Sequence, residues 1–163
     1  TNISCDKSTG RSCCFMKRLD ADDLKTMNLF KHYRIIRKWA CRNNNLNDAD
    51  LELLIYLDCM DMFTKKDFEA GSYSYSWDNR RWNRLLKEGW IVVWRPRNRT
   101  TQKYHIYKTS FKCKHLIKYI YRIILGEDDL PTSNHRNNIM KGKTYTDKVL
   151  ITSIKNVNKD KDR

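Results

Sequence analysis

The chain has 163 residues, which is enough for one ordinary domain with a core but not comfortably for two. Its 33 Lys and Arg residues outnumber 19 Asp and Glu residues, and the formal net charge of +14 favours a polyanionic partner bound in a salt-dependent way. The most apolar stretch, residues 116–125, is interrupted by Lys118 and Arg122, which argues against a membrane-spanning helix, so no membrane partner is expected.

The first residues of the chain predict an N-terminal arm over 1–19, because they are polar and show little periodicity. They also lack the apolar segment of a secretory signal. We therefore expect the protein to act in the cytoplasm, or inside a virion if a phage encodes it. The main domain is expected over residues 20–126, followed by a C-terminal extension over 127–163.

Two helices are predicted at the start of this domain. Carboxylates within residues 20–23 suit the positive end of a helix dipole, and a three-to-four spacing of apolar residues predicts one long helix over 20–42. The asparagines at 43–45 interrupt it. Asn47 is a typical N-cap for a second helix, whose apolar body covers residues 51–57.

A short helix and a basic helix are predicted next. Thr64 is a typical N-cap, and Phe63 and Phe68 occupy the two positions of a hydrophobic staple. The second helix is predicted over residues 76–88, with Gly89 just past its end.

The helix predicted over 76–88 is amphipathic. At about 100° per residue, Trp82, Leu85 and Leu86 fall on one side. The opposite side is polar and cationic, with one further arginine at its flank. These residues are Arg80, Asn83, Arg84, Lys87 and, at the flank, Arg81.

A two-stranded ribbon follows this helix. Residues 90–94 are β-branched and aromatic, 95–100 resemble a turn, and 103–108 alternate in the manner of a strand. The turn residues would form a tip, or wing, that carries three arginines. They are Arg95, Arg97 and Arg99.

Together these elements predict a reader of double-stranded DNA. An α-helix fits the major groove of B-form DNA, and an arginine-tipped ribbon reaches the phosphates or the adjoining minor groove. In this interpretation Arg80 and Arg84 read bases. The phosphate contacts would come from Lys87, Arg95, Arg97 and Arg99. The alternative is that the basic helix merely presents a solvated surface.

Ser110 is a typical N-cap for a further helix, which runs over 110–125 and is apolar around most of its circumference. A chain of this size covers such a helix with difficulty, so we expect self-association through this helix and the helix over 20–42. The alternative is that it forms the centre of the core.

The C-terminal extension is interpreted as a docking element. Residues 127–143 are irregular, with an acidic start and a proline, and predict a loop or extended arm. Residues 144–158 predict one more short helix. Such an extension more often connects a chain to a neighbour than to DNA, so other particle subunits are possible partners.

Neither a metal site, an active site nor a cofactor is expected. A site formed by Cys5, Cys13 and Cys14 with His32 is conceivable, but the spacing differs from that of common zinc sites. Carboxylates lie at predicted helix ends or in loops, where capping explains them. The sequence has no Ser-His-Asp arrangement, glycine-rich phosphate loop or His-Glu metal spacing.

The resulting fold is mostly α with a small β-ribbon, and it is similar to the winged helix-turn-helix of the multiple-antibiotic-resistance (MarR) regulator family. The resemblance depends on residues 47–57, residues 63–71 and above all the run 84–92, RLLKEGWIV. That run resembles the end of the family's recognition helix, with a leucine pair, a charged pair, a glycine and an apolar entry into the wing.

The resemblance covers residues 20–126 and implies a transcriptional regulator. It also implies a dimer formed by the first and last helices, with two recognition helices in successive major grooves of a two-fold DNA site. The alternative function is a structural or assembly component of a phage or virus particle. In that case a winged-helix body would use its arms to dock to neighbouring subunits.

Overall fold

The structure, a computed structural model, describes residues 18–26, 29–71, 79–98 and 100–160. These residues form mostly helices and one two-stranded antiparallel sheet, which confirms the expected mostly α fold with a small β-ribbon. In chain order the elements are α1 (Ala21–Thr26), α2 (Tyr33–Asn44), α3 (Asp48–Asp58), α4 (Lys65–Gly71), α5 (Asn79–Lys87), β1 (Ile91–Arg95), β2 (Ile106–Thr109), α6 (Phe111–Leu125), a short 3₁₀ helix (Asn138–Lys141) and α7 (Tyr145–Lys159).

The prediction of one long helix over 20–42 is wrong, because a turn at residues 29–32 separates α1 from α2. The apolar spacing in this stretch does not mark a buried stripe: α1 buries none of its residues, and Phe30 is 77% exposed. The turn is held by ion pairs to the residue that follows α7. Lys31 Nζ and His32 Nε2 lie 2.7 and 2.8 Å from a carboxylate oxygen of Asp160, just past α7.

Helix α2 organises the core, since α3, α6, α7 and the 3₁₀ helix all pack against it. Its apolar side faces inward, as expected of an amphipathic helix with one covered face. The α2 residues that are buried there are Ile35, Ile36, Trp39, Ala40 and Cys41.

Predicted helix ends are confirmed where the signal is local. Asn47 caps α3 and forms a capping box with Asp50, whose side chain accepts a hydrogen bond from the Asn47 amide at 3.3 Å. Asn45 ends α2 in the left-handed region at φ 55°. Ser110 caps α6, and Gly126 ends it at φ 83°.

The two strands form a hairpin joined by residues 96–105. Val93 lies opposite Tyr107, and a bulge follows between Val93 and Arg95. Phe63, which precedes α4, adds an isolated bridge to the sheet. Its amide donates to the Tyr107 carbonyl at 3.1 Å, and its carbonyl accepts from the Tyr107 amide at 2.8 Å. The hairpin base is therefore anchored to the chain that leads into α4.

Helix α6 packs against α2 and α3. The ring of Tyr119 on α6 contacts the ring of Trp39 on α2, and their centroids lie 5.6 Å apart. Helix α6 buries Ile117, Ile120 and Ile123, whereas Phe111 at its start is 84% exposed. None of the helices in the described ranges is both long and apolar enough to cross a membrane.

The C-terminal segment belongs to the same core, which the prediction of a separate extension missed. Leu130, Ile139, Ile154 and Val157 are each at most 1% exposed and join one apolar cluster with the residues of α2 and α6. The predicted last helix is confirmed, although at 15 residues α7 is not short. An irregular sequence over 127–143 hid this packing, because isolated apolar residues between turns show no periodicity.

Candidate nucleic-acid interface

Helix α5 is fixed to its neighbours by aromatic packing. Trp82 is 3% exposed, and its ring meets Phe68 of α4 and Tyr107 of β2 edge-on, at centroid distances of 4.7 and 4.8 Å. Leu85 is fully buried beside it. Residues 76–78 of the predicted helix lie outside the described ranges, so α5 is observed only over Asn79–Lys87.

The opposite side of α5 is polar and faces solvent. A helix whose apolar side is locked in this way presents its remaining side chains in a fixed direction. The exposed residues there are Arg80, Asn83, Arg84 and Lys87.

Two arginines of α5 pair with a buried carboxylate of α3. Asp50 is fully buried, and Arg81 Nε lies 2.9 Å from its Oδ1, close enough for an ion pair although not aligned for a hydrogen bond. Arg84 Nη2 donates to Asp50 Oδ2. The same Asp50 completes the capping box of α3. One buried anion therefore ties the basic helix to the scaffold helix beneath it.

The junction between α5 and β1 is also held in place. Gly89 lies just past the end of α5 and adopts φ 79°, a left-handed conformation that favours glycine. Trp90 is buried, with the Lys112 ammonium 4.0 Å from its ring centroid. Lys112 Nζ also donates to the Glu88 carbonyl at 2.7 Å. The hairpin therefore leaves α5 in a defined direction.

Beyond Ile91 the first strand projects into solvent. Val92, Val93 and Trp94 are exposed in succession, so both faces of this part of the hairpin are accessible. Two cations gather at the Trp94 ring: the Arg95 guanidinium lies 4.3 Å and the Lys108 ammonium 5.3 Å from its centroid. The tryptophan thus concentrates positive charge on the hairpin.

The hairpin tip is ordered by its own hydrogen bonds. Asn98 and Gln102 exchange backbone hydrogen bonds of 2.8 and 3.2 Å, and the Asn98 side chain accepts from the amide and hydroxyl of Thr100, each at 3.1 Å. The Arg97 amide donates to His105 Nδ1 at 2.9 Å. The Arg97 side chain itself is exposed to solvent. Arg99 lies outside the described residues.

An open cleft of about 340 Å³ lies between α4 and the hairpin, and we call it the basic cleft. Lys65 Nζ donates to Asn79 Oδ1 at 3.0 Å, which connects the cleft to the first residue of α5. The Lys66 ammonium lies 5.4 Å from the Tyr104 ring centroid. Glu69 contributes one carboxylate to the lining. The basic and imidazole side chains of the cleft are Lys65, Lys66, Arg97, Lys103 and His105.

Of the two predicted arginine clusters, only that of the hairpin contributes a described residue to the lining of the basic cleft. Arg97 of the hairpin lines it, and Lys65 links it to the helix that carries Arg80. Sequence reasoning missed the lysines of the cleft. A signal was present, since Lys65 and Lys66 occupy the first turn of α4, where the helix dipole disfavours positive charge.

Two of the described cysteines, Cys41 and Cys113, are buried in the core. Burial, followed by the influence of Asp48, raises the pKa of the Cys41 thiol to about 12. Burial, followed by Asp58, raises the pKa of Cys113 to about 12 as well, so both thiols stay protonated and inert.

No group of three or more His, Cys, Asp or Glu residues within the described ranges could hold a metal ion. The conceivable metal site at Cys5, Cys13 and Cys14 lies outside those ranges. His32, its fourth member, hydrogen-bonds to Asp160.

In comparisons with known proteins, the chain matches no family model, no curated protein and no solved structure.

Proposed function

We propose that the chain is a double-stranded DNA-binding protein of the winged helix-turn-helix type. In this proposal α5 enters the major groove, and the hairpin contacts phosphates or the adjoining minor groove. The observation that carries it is the construction of α5: Trp82 locks its apolar side, its polar side faces solvent, and its first residue, Asn79, is hydrogen-bonded to Lys65 of the basic cleft. Transcriptional regulation, as in the MarR family, is the role this surface fits best.

The order of elements supports the winged-helix assignment. Helices α3, α4 and α5 precede the hairpin, and Phe63 adds an isolated bridge to its base. In such a motif the last helix reads the groove while the earlier ones brace it. The ion pairs from Asp50 to Arg81 and Arg84 supply that brace here.

We assign two different roles to residues on the polar side of α5. Arg80 and Asn83 suit base reading, because arginine pairs bidentately with guanine and asparagine with adenine. Arg84 donates to Asp50 through Nη2, so we assign it to positioning α5 rather than to reading a base. The phosphate contacts are assigned to Lys65, Lys66, Lys87, Arg95, Arg97 and Lys103, which are placed on α4, on α5 and along the hairpin.

The test is a selection of bound sequences from a random duplex pool, followed by binding titrations across salt concentrations. Replacing Arg80 and Asn83 with Ala is expected to remove sequence preference while leaving most salt-dependent binding intact. Replacing Arg97 and Lys103 with Ala is expected to weaken binding to every sequence and to reduce the salt slope by about 2.

A matched control removes the same charge elsewhere. Arg136 and Lys155 are exposed on the C-terminal segment, and their replacement with Ala is expected to change affinity far less. If the control pair weakens binding as much as the hairpin pair, binding reflects net charge alone. If neither test pair changes binding, the proposed interface is wrong.

A further inference from the structure

The basic cleft contains aromatic rings as well as cations. Tyr104, His105 and Tyr107 of the hairpin all line it, and Tyr104 is 59% exposed. Cations alone are enough to hold the phosphates of a duplex, so phosphate contacts give these rings no role. Exposed rings beside cations are the combination with which proteins stack the bases of a single strand.

Hydrogen bonds fix the part of the hairpin that carries these rings. The Gln102 side chain donates to the Tyr104 carbonyl at 2.8 Å, and His105 Nδ1 accepts from the Arg97 amide at 2.9 Å. Tyr104 therefore projects from a backbone that is already held in place. A base that stacks on a preorganised ring pays little for ordering the protein.

The cleft has room for a single nucleotide. Its volume of about 340 Å³ lies near the lower end of the range for ligand pockets, about 300–1,000 Å³. The Lys66 ammonium lies 5.4 Å from the Tyr104 ring centroid, and an exposed lysine on a flexible stem can move from a ring to a phosphate. Arg97 and Lys103 add exposed positive charge from the hairpin. A base on the ring and a phosphate among these cations would engage both kinds of group.

Glu69 gives the cleft a group that phosphate binding does not explain. A carboxylate repels a phosphate, but it accepts a hydrogen bond from the exocyclic amino group of a base, as Glu and Asp do from cytosine. Thymine has no such amino group. The cleft is therefore expected to favour cytosine over thymine.

We propose that the basic cleft binds one unpaired DNA nucleotide, with its base stacked on Tyr104 and its phosphate held by the cations of the cleft. This inference rests on the proposed function, because the hydrogen bond from Lys65 to Asn79 connects the cleft to the first residue of α5. A strand that leaves a duplex bound by α5 can then enter the cleft. The preferred ligand is a duplex that continues as a single strand, rather than an uninterrupted duplex.

Fluorescence anisotropy with the full natural chain tests the proposal on duplexes of the sequence selected from the random pool. One duplex is blunt, one carries a short tail of unpaired cytosines, and one carries an equally long tail of abasic nucleotides, with both strand polarities tested. The abasic tail has the same phosphates but no bases, so the two tails differ only in the bases. The cytosine tail is expected to bind about tenfold more tightly than the abasic tail at one polarity or both, within the range for stacking one base.

Variants of Tyr104 show whether its ring is responsible. Tyr104→Ala is expected to bind the two tailed duplexes equally while still binding the blunt duplex, and Tyr104→Phe is expected to keep the tenfold difference, because stacking needs the ring and not the hydroxyl. Tyr145→Ala is the matched control, since Tyr145 at the start of α7 is 83% exposed, and it should also keep the difference. A natural chain that does not distinguish the tails, or a Tyr104→Ala chain that still does, would overturn the nucleotide site.

A thymine tail tests the part assigned to Glu69. It is expected to bind about fivefold more weakly than the cytosine tail, as the loss of one hydrogen bond to a charged group predicts, and Glu69→Ala is expected to remove that difference. Equal affinities of the natural chain for the two tails would overturn the role of Glu69 in the site.

The blunt duplex separates this inference from the proposed function. Tight binding of the blunt duplex without a gain from the cytosine tail would overturn the nucleotide site and leave duplex binding by α5 in place. A gain from the cytosine tail without binding of the blunt duplex would support the site and overturn duplex binding by α5. A chain that binds none of the probes would overturn both.

Discussion

At the scale of single residues, Asp50 shows how one carboxylate serves two structures. It accepts from the Asn47 amide to complete the cap of α3, and it pairs with Arg81 and Arg84 of α5. A fully buried anion is tolerated only when such partners compensate its charge. Its position therefore couples the orientation of the proposed recognition helix to the scaffold helix.

Asp50→Asn is expected to lower the free energy of unfolding by about 2 kcal/mol. It leaves Arg81 and Arg84 without their shared counter-charge, and the cost stays below that of a fully buried pair because Arg84 is 43% exposed. Urea denaturation provides the measurement. Asp48→Asn is the control, since Asp48 lies on the same helix, is exposed and forms a longer ion pair of 3.6 Å with Arg37. Equal stabilities of the two variants would show that Asp50 does not brace α5.

Gly142 is required by the space around it. A Cβ atom at this position would lie 2.2 Å from Cγ of Asp147. That carboxylate is held by Arg42 and by the Thr144 hydroxyl, which donates to it at 2.8 Å, so it is not free to move aside.

We therefore expect Gly142→Ala to lower the free energy of unfolding by about 1–3 kcal/mol, as overpacked sites do. Thermal and urea denaturation would measure the change. Lys143→Ala, at the exposed neighbouring position, is expected to stay within about 0.5 kcal/mol of the natural chain. A Gly142→Ala protein as stable as this neighbour would contradict the packing described for Asp147.

At the scale of helices and strands, local signals were the predictable ones. The caps at Asn47 and Ser110 depend on residues within three positions, so the sequence alone identifies them. The prediction of one helix over 20–42 failed because periodicity indicates an apolar stripe but does not indicate whether another element covers that stripe. The link from Asp50 to Arg84 could not be predicted either, since no local pattern relates residues on separate helices.

The pair formed by Arg42 and Asp147 connects α2 to α7 and carries a pH dependence. The hydrogen bond from Arg42, assisted by Thr144, lowers the pKa of Asp147 below its ordinary value of 3.8. The folded state thus binds this proton less readily than the unfolded state. The stabilisation is complete above the unfolded pKa and is lost as the pH falls through the lower, folded pKa.

Asp147→Asn is therefore expected to be destabilised relative to the natural chain at neutral pH. The difference should begin to shrink as the pH falls below about 4 and should disappear below the lowered pKa of the folded state. Unfolding free energies of both proteins, measured from neutral to acidic pH, provide the test. The exposed Asp61→Asn serves as the control and is expected to track the natural chain at neutral pH. A difference that persists unchanged in acid would show that the Asp147 charge is not what stabilises this contact.

At the scale of the whole molecule, the C-terminal segment completes the domain. Leu130, Ile139, Ile154 and Val157 lie in one cluster with residues of α2 and α6. Because the C-terminal segment packs in this cluster, it gives no reason to interpret the chain as a particle component that docks through a free C-terminal arm. The packing also means that the folded domain extends past Gly126, the end of the domain predicted from the sequence.

Ending the chain at Gly126 is expected to abolish cooperative folding. Each of the four buried side chains that would be lost contributes about 1.5–3 kcal/mol. Their sum is comparable to the whole stability of a typical domain, about 5–15 kcal/mol.

A single substitution in the C-terminal segment tests the same packing in a chain of full length. Ile154 is fully buried, and Ile154→Ala is expected to lower the free energy of unfolding by about 2–4 kcal/mol, against less than about 0.5 kcal/mol for the exposed neighbour Lys155→Ala. Equal urea midpoints for these two variants, with a truncated chain that still unfolds cooperatively, would place the domain boundary at Gly126 after all.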